Sequence, residues 1–102
     1  MKIYLPISDW FKHSNIWLLL LTHRQVEKST IDIYVIERVK EKRIEKELTQ
    51  ADLAFELGIS VGFIGKIESP RYPAHYNLKH LNDIARILKC SPQDFLPKKP
   101  LS

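Results

Sequence analysis

One cysteine in 102 residues excludes an internal disulfide framework, and a lone Cys90 fits a reducing, cytoplasmic compartment. Three glycines leave no Gly-rich phosphate loop, and neither a nucleophile elbow nor a carboxylate pair with a reason to be buried appears. His75, His80 and Cys90 are the only nearby soft ligands; their spacing matches no zinc pattern and a fourth member is missing. These absences argue against an enzyme and against any metal or other cofactor. Long apolar runs are lacking too. The strongest, Ile16 to Leu21, is far shorter than the roughly 20 residues a bilayer-spanning helix needs. No basic start or small-residue cleavage site marks it as a secretory signal. A membrane partner is therefore not expected.

What is present fits one modest core. With 44% hydrophobic and 27% charged residues, the length suits a single domain. A net charge of +4 and a pI near 9.3 suit an anionic partner. The first thirty residues leave three readings open: an accessory helix or strand packed on the domain, a self-associating arm, or a stretch upstream of the true start that folds poorly. The arm is the sharper idea, because so many large apolar side chains would otherwise form an exposed patch.

The most informative stretch runs from Thr49 to Ser69. Thr49 and Asp52 are spaced as a capping pair, Ala51, Leu53, Ala54 and Leu57 supply an inward face, and Gly58 stands where a left-handed residue ends a helix. Ser60 then caps a second helix, with Ile59 as a staple and Ile64 and Ile67 directed inward. Val61, Gly62, Gly65 and Lys66 are left facing outward. Two short helices around a tight turn are a helix-turn-helix layout, in which that outward face enters the DNA major groove.

Flanking segments complete an all-α, five-helix domain over residues 31–97, with an N-terminal extension at 1–30 and a loose tail at 98–102. Ser29 and Asp32 open a first helix whose apolar stripe is Ile33, Val35, Ile36 and Val39, running to about Glu45. Its charged faces alternate in sign, as solvated helix surfaces do. Arg43, near its end, is placed to pair with Glu68 and lock the first helix to the second motif helix. Asn77 caps a helix carrying Leu78, Leu81, Ile84, Ala85 and Leu88 inward. Its outward Lys79, His80, Arg86 and Lys89 form a solvated face or help attract phosphate. Ser91 and Pro92 open a last short helix that directs Phe95 and Leu96 inward.

The run ERVKEKRIEKELTQADLAFELGISVGFIGKIES, Glu37 to Ser69, resembles the lambda-repressor and Cro-like helix-turn-helix domains, the XRE family of bacterial and phage regulators. Its most specific parts are KRI at Lys42, LTQADLA at Leu48, LGIS at Leu57 and IGKIES at Ile64, and the resemblance continues more loosely to about Pro97. It implies a repressor that binds double-stranded DNA, usually as a homodimer, through helix 60–68. It also implies that Gln50 holds a phosphate and braces the reading helix, that Val61, Gly62 and Lys66 stand at the base-reading positions, that Arg71 and Tyr72 touch the sugar-phosphate backbone, and that Arg43 and Glu68 form a buried pair; the capping Ser60 and the outward Gly65 complete the candidate DNA-binding residues. Two departures stand out. Val61 and Gly62 replace the polar side chains relatives often use to pair with base edges, and Glu47 stands where relatives commonly have Gly. The weak reading face and the apolar first thirty residues favour an alternative, an antitoxin or protein-binding adaptor built on the same fold, with a toxin or other protein as partner.

Overall fold

Each helix begins where a small polar side chain can accept the N–H groups its first turn leaves unbonded. In a computed structural model describing residues 27–102, Ser29 Oγ accepts from the Asp32 N–H at 3.1 Å and opens α1, Thr30–Glu45. Thr49 and Asp52 exchange both bonds of a capping box, 3.0 and 2.8 Å, at the start of α2, Gln50–Leu57. Ser60 Oγ accepts from Phe63 N–H at 3.1 Å and opens α3, Val61–Glu68. Asn77 does the same for α4, Leu78–Leu88. The apolar run Ile16 to Leu21, and with it most of the 1–30 extension, lies outside the described residues.

Among the described residues, then, the chain is all-helical, with four α-helices followed by a 3-10 turn at Pro92–Phe95. That fifth element, expected as a short α-helix, is a single tight turn capped by Ser91. It packs on α1 and α4 and seats Phe95 at 0% exposure. Burying one such ring contributes about 1.5–3 kcal/mol. The core draws on every element: Val35, Ile36 and Val39 from α1, Leu53 and Ala54 from α2, Ile64 and Ile67 from α3, and Leu81, Ile84, Ala85 and Leu88 from α4. No helix among the described residues is long and apolar enough to cross a membrane.

Four residues expected to face inward do not. Ile33 is 51% exposed and Leu78 80% exposed, and Ala51 is exposed as well. All three sit in first turns on the flank of their apolar stripe, where the 3.6-residue period has carried them away from the neighbouring helix. Leu96 follows the 3-10 turn in extended backbone and is 42% exposed.

Helix endings show where the sequence is strained. Gly58 ends α2 in the left-handed region at φ 71°, and the Ile59 N–H bonds back to the Ala54 carbonyl at 3.0 Å, closing a Schellman turn that glycine adopts without Cβ crowding. The same closure ends α1, with Leu48 N–H on the Arg43 carbonyl at 3.0 Å, but the left-handed residue is Glu47 at φ 60°. A Glu at this position means either a strained turn or a helix that runs on, and a strained turn is what forms. A side chain pays roughly 1–2 kcal/mol in that region, and an acidic group is also unfavourable at a helix C-terminus. Glu47→Gly is therefore expected to raise unfolding free energy by about 0.5–1 kcal/mol once glycine's own chain entropy is counted, read as a higher urea midpoint.

At the start of α4 the cap contains a titratable group. Asn77 Oδ1 accepts from His80 N–H at 2.7 Å, and His80 Nδ1 accepts from Asn77 N–H at 3.1 Å. An accepting Nδ1 must be unprotonated. His80 is thus a cap residue rather than a phosphate-attracting cation. Burial lowers its pKa below the ordinary 6.5, Lys79 and His75 add to the lowering, and Asp83 opposes it. The unfolded chain then takes up the proton first, so stability is level above about pH 6.5 and falls as pH drops from there through the folded value. The urea midpoint is expected to drop between pH 7 and 5. The drop should shrink in His80→Gln, which can keep a capping box without titrating.

Candidate nucleic-acid interface

The sequence of α3, VGFIGKIE, sorts cleanly by burial. Ile64 and Ile67 are 0% exposed, and Phe63 is half-buried with its ring 6.1 Å from that of His80. Val61, Gly62 and Lys66 are exposed and Gly65 is half-buried. The outward surface is therefore low and nearly flat: one branched apolar side chain, two glycines and one ammonium. A Cβ built on Gly62 meets nothing within 4 Å, and one on Gly65 meets only Gln50 Oε1, at 3.9 Å. Internal packing does not require either glycine. Each costs the helix about 1 kcal/mol relative to Ala, a cost that close approach by an outside surface would explain. Ser60 stands at the leading edge; its Oγ accepts from Phe63 N–H as the cap, and the hydroxyl hydrogen remains to donate outward.

Behind this surface is a buried polar cluster. Arg43 grips Glu68 with two parallel bonds, Nη2 to Oε1 at 3.0 Å and Nε to Oε2 at 3.2 Å, and sends Nη1 to the Leu48 carbonyl at 2.7 Å. The two side chains are 9% and 4% exposed. Gln50 Nε2 adds a third donor to Glu68 Oε1 at 2.9 Å. The structure thus joins α1, α2 and α3 through one carboxylate, with the Gln50 carbonyl oxygen beside Gly65. The aromatic wall of the site, Tyr76, went unread in the sequence. Its phenol is 5% exposed. Burial and then the Glu68 carboxylate push its pKa far above the ordinary range, with Arg43 opposing, so it stays neutral.

Arg71 and Tyr72 lie in the loop between α3 and α4, both exposed. The loop folds back through Arg71 N–H on Ser69 Oγ at 3.2 Å. The Lys66 ammonium stands 5.5 Å from the centroid of the Tyr72 ring, a cation–π arrangement. Lys66 and Tyr72 therefore meet at the end of the reading helix, with Arg71 next to Tyr72 in the loop. The basic residues of α4 are engaged locally: Lys79 and Arg86 both pair with Asp83, at 2.7 and 3.2 Å, holding that carboxyl below its ordinary pKa range. One carboxylate thus offsets part of the charge of that face. Lys28, another residue that sequence reasoning passed over, donates to the Tyr72 carbonyl. Partial burial lowers its pKa and Asp32 opposes the change. No periodicity marks Lys28, whereas His80 was findable: it stands three residues after Asn77, the capping-box position.

Set beside known proteins, residues 38–99 match the sequence model of a family described as the Cro/C1-type helix-turn-helix DNA-binding domain. No curated protein matches the chain significantly by sequence. Among solved structures, the restriction-modification controller protein C.AhdI from Aeromonas hydrophila is similar with a TM-score of 0.54 and 25% identity, over 63% of this chain and 94% of that one. Co(II) HppE in complex with substrate gives a TM-score of 0.58 and 25% identity, over 67% of this chain but 37% of that one. Fe(II) HppE gives 0.59 and 24% identity, over 72% and 39%. The chain spans well under half the length of the HppE structures, and the likeness to them is one of fold.

Proposed function

The chain belongs to the Cro/C1-type helix-turn-helix DNA-binding domains, and from that premise we propose that it is a cytoplasmic bacterial or phage transcriptional regulator, a homodimeric repressor that lays helix 60–68 into the major groove of its operator. The observation that carries this reading is the low outward face of α3, whose two glycines no internal contact requires, mounted on the Arg43–Glu68–Gln50 cluster. Such a face lets backbone come close to base edges while the cluster fixes its angle. In this reading residues 31–97 are the DNA-binding unit. Val61 presses on a thymine methyl, Lys66 and Ser60 donate to bases or phosphates, and Gln50, Arg71 and Tyr72 position the phosphate backbone. A short helix reads few base pairs, so a two-fold partner doubling the contact suits an operator of paired half-sites. The likeness to a restriction-modification controller protein adds support for a regulatory role.

Selection of random duplex DNA by the full chain, repeated at several salt concentrations, tests the proposal. Enrichment of two related half-sites about one helical turn apart is the expected result. Weak, salt-sensitive binding with no enriched sequence would count against it. A second reading, an antitoxin or adaptor that grips a protein, draws support from Phe55 and Leu78, apolar side chains 83% and 80% exposed. Failure of selection together with a toxin gene in the adjacent reading frame would favour that reading.

A further inference from the structure

Lys28 precedes the N-cap of α1 and lies outside the residues 38–99 that match the family, yet it reaches the reading helix. Its ammonium donates to the Tyr72 carbonyl and stands 3.5 Å from the Lys66 carbonyl. The second of these oxygens belongs to the last turn of α3, where it already accepts the Ser69 N–H at 3.2 Å. Carbonyls there carry the negative end of the helix dipole, and a cation is favoured beside them. One ammonium therefore ties the end of α3 to the loop that bears Arg71 and Tyr72.

Tyr72 is held from two sides, its backbone by Lys28 and its ring by the Lys66 ammonium. A second link from the same region runs alongside: Asp32 Oδ2, which accepts from the Ser29 hydroxyl at 2.7 Å, lies 4.0 Å from His75 Nδ1. The start of α1 thus buttresses the α3–α4 loop. The buried cluster of Arg43, Glu68 and Gln50 does not extend to that loop, because its last member along the chain is Glu68. Lys28 ties the Tyr72 end of the loop directly to the end of the reading helix, beside the Lys66–Tyr72 contact and ahead of Tyr76, which anchors the far end of the loop in the core.

We propose that Lys28 is a positioning residue for DNA binding: its ammonium, spent on the Tyr72 and Lys66 carbonyls, sets where Arg71 and Tyr72 stand beside α3 without touching DNA itself. This rests on the DNA-binding reading above. The test compares full-length Lys28→Ala, Lys28→Arg and Arg71→Ala on the selected duplex across a salt series, with amide hydrogen exchange on the unliganded proteins. Lys28→Ala should bind about three- to tenfold more weakly, the scale of one charge-assisted hydrogen bond discounted for solvent. Its salt slope should be unchanged, whereas Arg71→Ala should lose about one unit of slope per half-site. Lys28→Arg, which keeps a cationic donor, should recover most of the affinity. Exchange in Lys28→Ala should quicken at Arg71 and Tyr72 while α2 and α4 stay protected, which separates loosening of the loop from loss of the fold. A slope reduced as in Arg71→Ala would make Lys28 a phosphate contact and overturn the proposal, as would unchanged affinity with unchanged loop exchange. If Arg71→Ala weakens binding and Lys28→Ala does not, this proposal alone falls; if the wild-type chain binds no duplex, the DNA-binding reading falls with it.

Discussion

Glu68→Ala is expected to cost about 3–5 kcal/mol of folding stability, because it leaves a buried guanidinium without its counter-charge. Arg43 is 7% exposed and spends two donors on Glu68 and one on the Leu48 carbonyl. Without the carboxylate only the Leu48 bond remains, and Gln50 Nε2 loses its acceptor as well. A loss of this size is a large part of what holds a small domain folded, so the variant should melt far earlier or fail to accumulate. The reason is the stranded charge rather than the net worth of the pair, and a double substitution can show this. Arg43→Met with Glu68→Leu removes both charges and should cost much less than the sum of the single changes, since apolar residues of similar size can replace a buried ion pair at little cost. Urea midpoints of the two single variants and the double variant, compared as a cycle, check it. Equal, additive losses would mean that the cluster is no more than a set of independent contacts.

How much of this was legible depends on what kind of signal a residue carries. Capping pairs are local and use fixed spacing, so Ser29, Thr49, Ser60, Asn77 and Ser91 mark the starts of all the described elements. The turn at Gly58 was readable for the same reason. Burial was readable along the middle of each stripe and failed at first turns, as at Ile33, Ala51 and Leu78, where periodicity says which side a residue is on but not whether a neighbouring helix reaches that far. The site divides in the same way. Arg43 and Glu68 lie 25 residues apart, yet helix geometry and the family resemblance placed both at the junction of α1 and α3. Tyr76 and Lys28 carry no such pattern. Tyr76 is buried from a loop, and Lys28 acts through backbone carbonyls of residues 66 and 72, partners that leave no trace in side-chain identity.

Lys66→Ala and Arg71→Ala are expected to damage DNA binding in different ways. Along the outward face of α3 itself, Val61, Gly62 and Gly65 have no side-chain donor, so Lys66 is the position there that can donate to a base. If it reads a guanine edge, its removal should relax preference at one position of each half-site by about 1–3 kcal/mol, roughly ten- to a hundredfold, while other positions keep their ranking. Arg71 sits in the loop rather than on the helix face. Its loss should lower affinity for every sequence alike and reduce the salt slope by about one per half-site. Repeating the selection and the salt series with each variant separates the two. A uniform loss with Lys66→Ala would reassign its ammonium to phosphate, which its location in the last turn of α3, above the Tyr72 ring, also permits. Sequence preference would then rest on Val61 against thymine methyls, on the Ser60 hydroxyl, and on how closely the two glycines let the backbone approach. Such a regulator would read the shape of its operator more than its hydrogen-bond pattern.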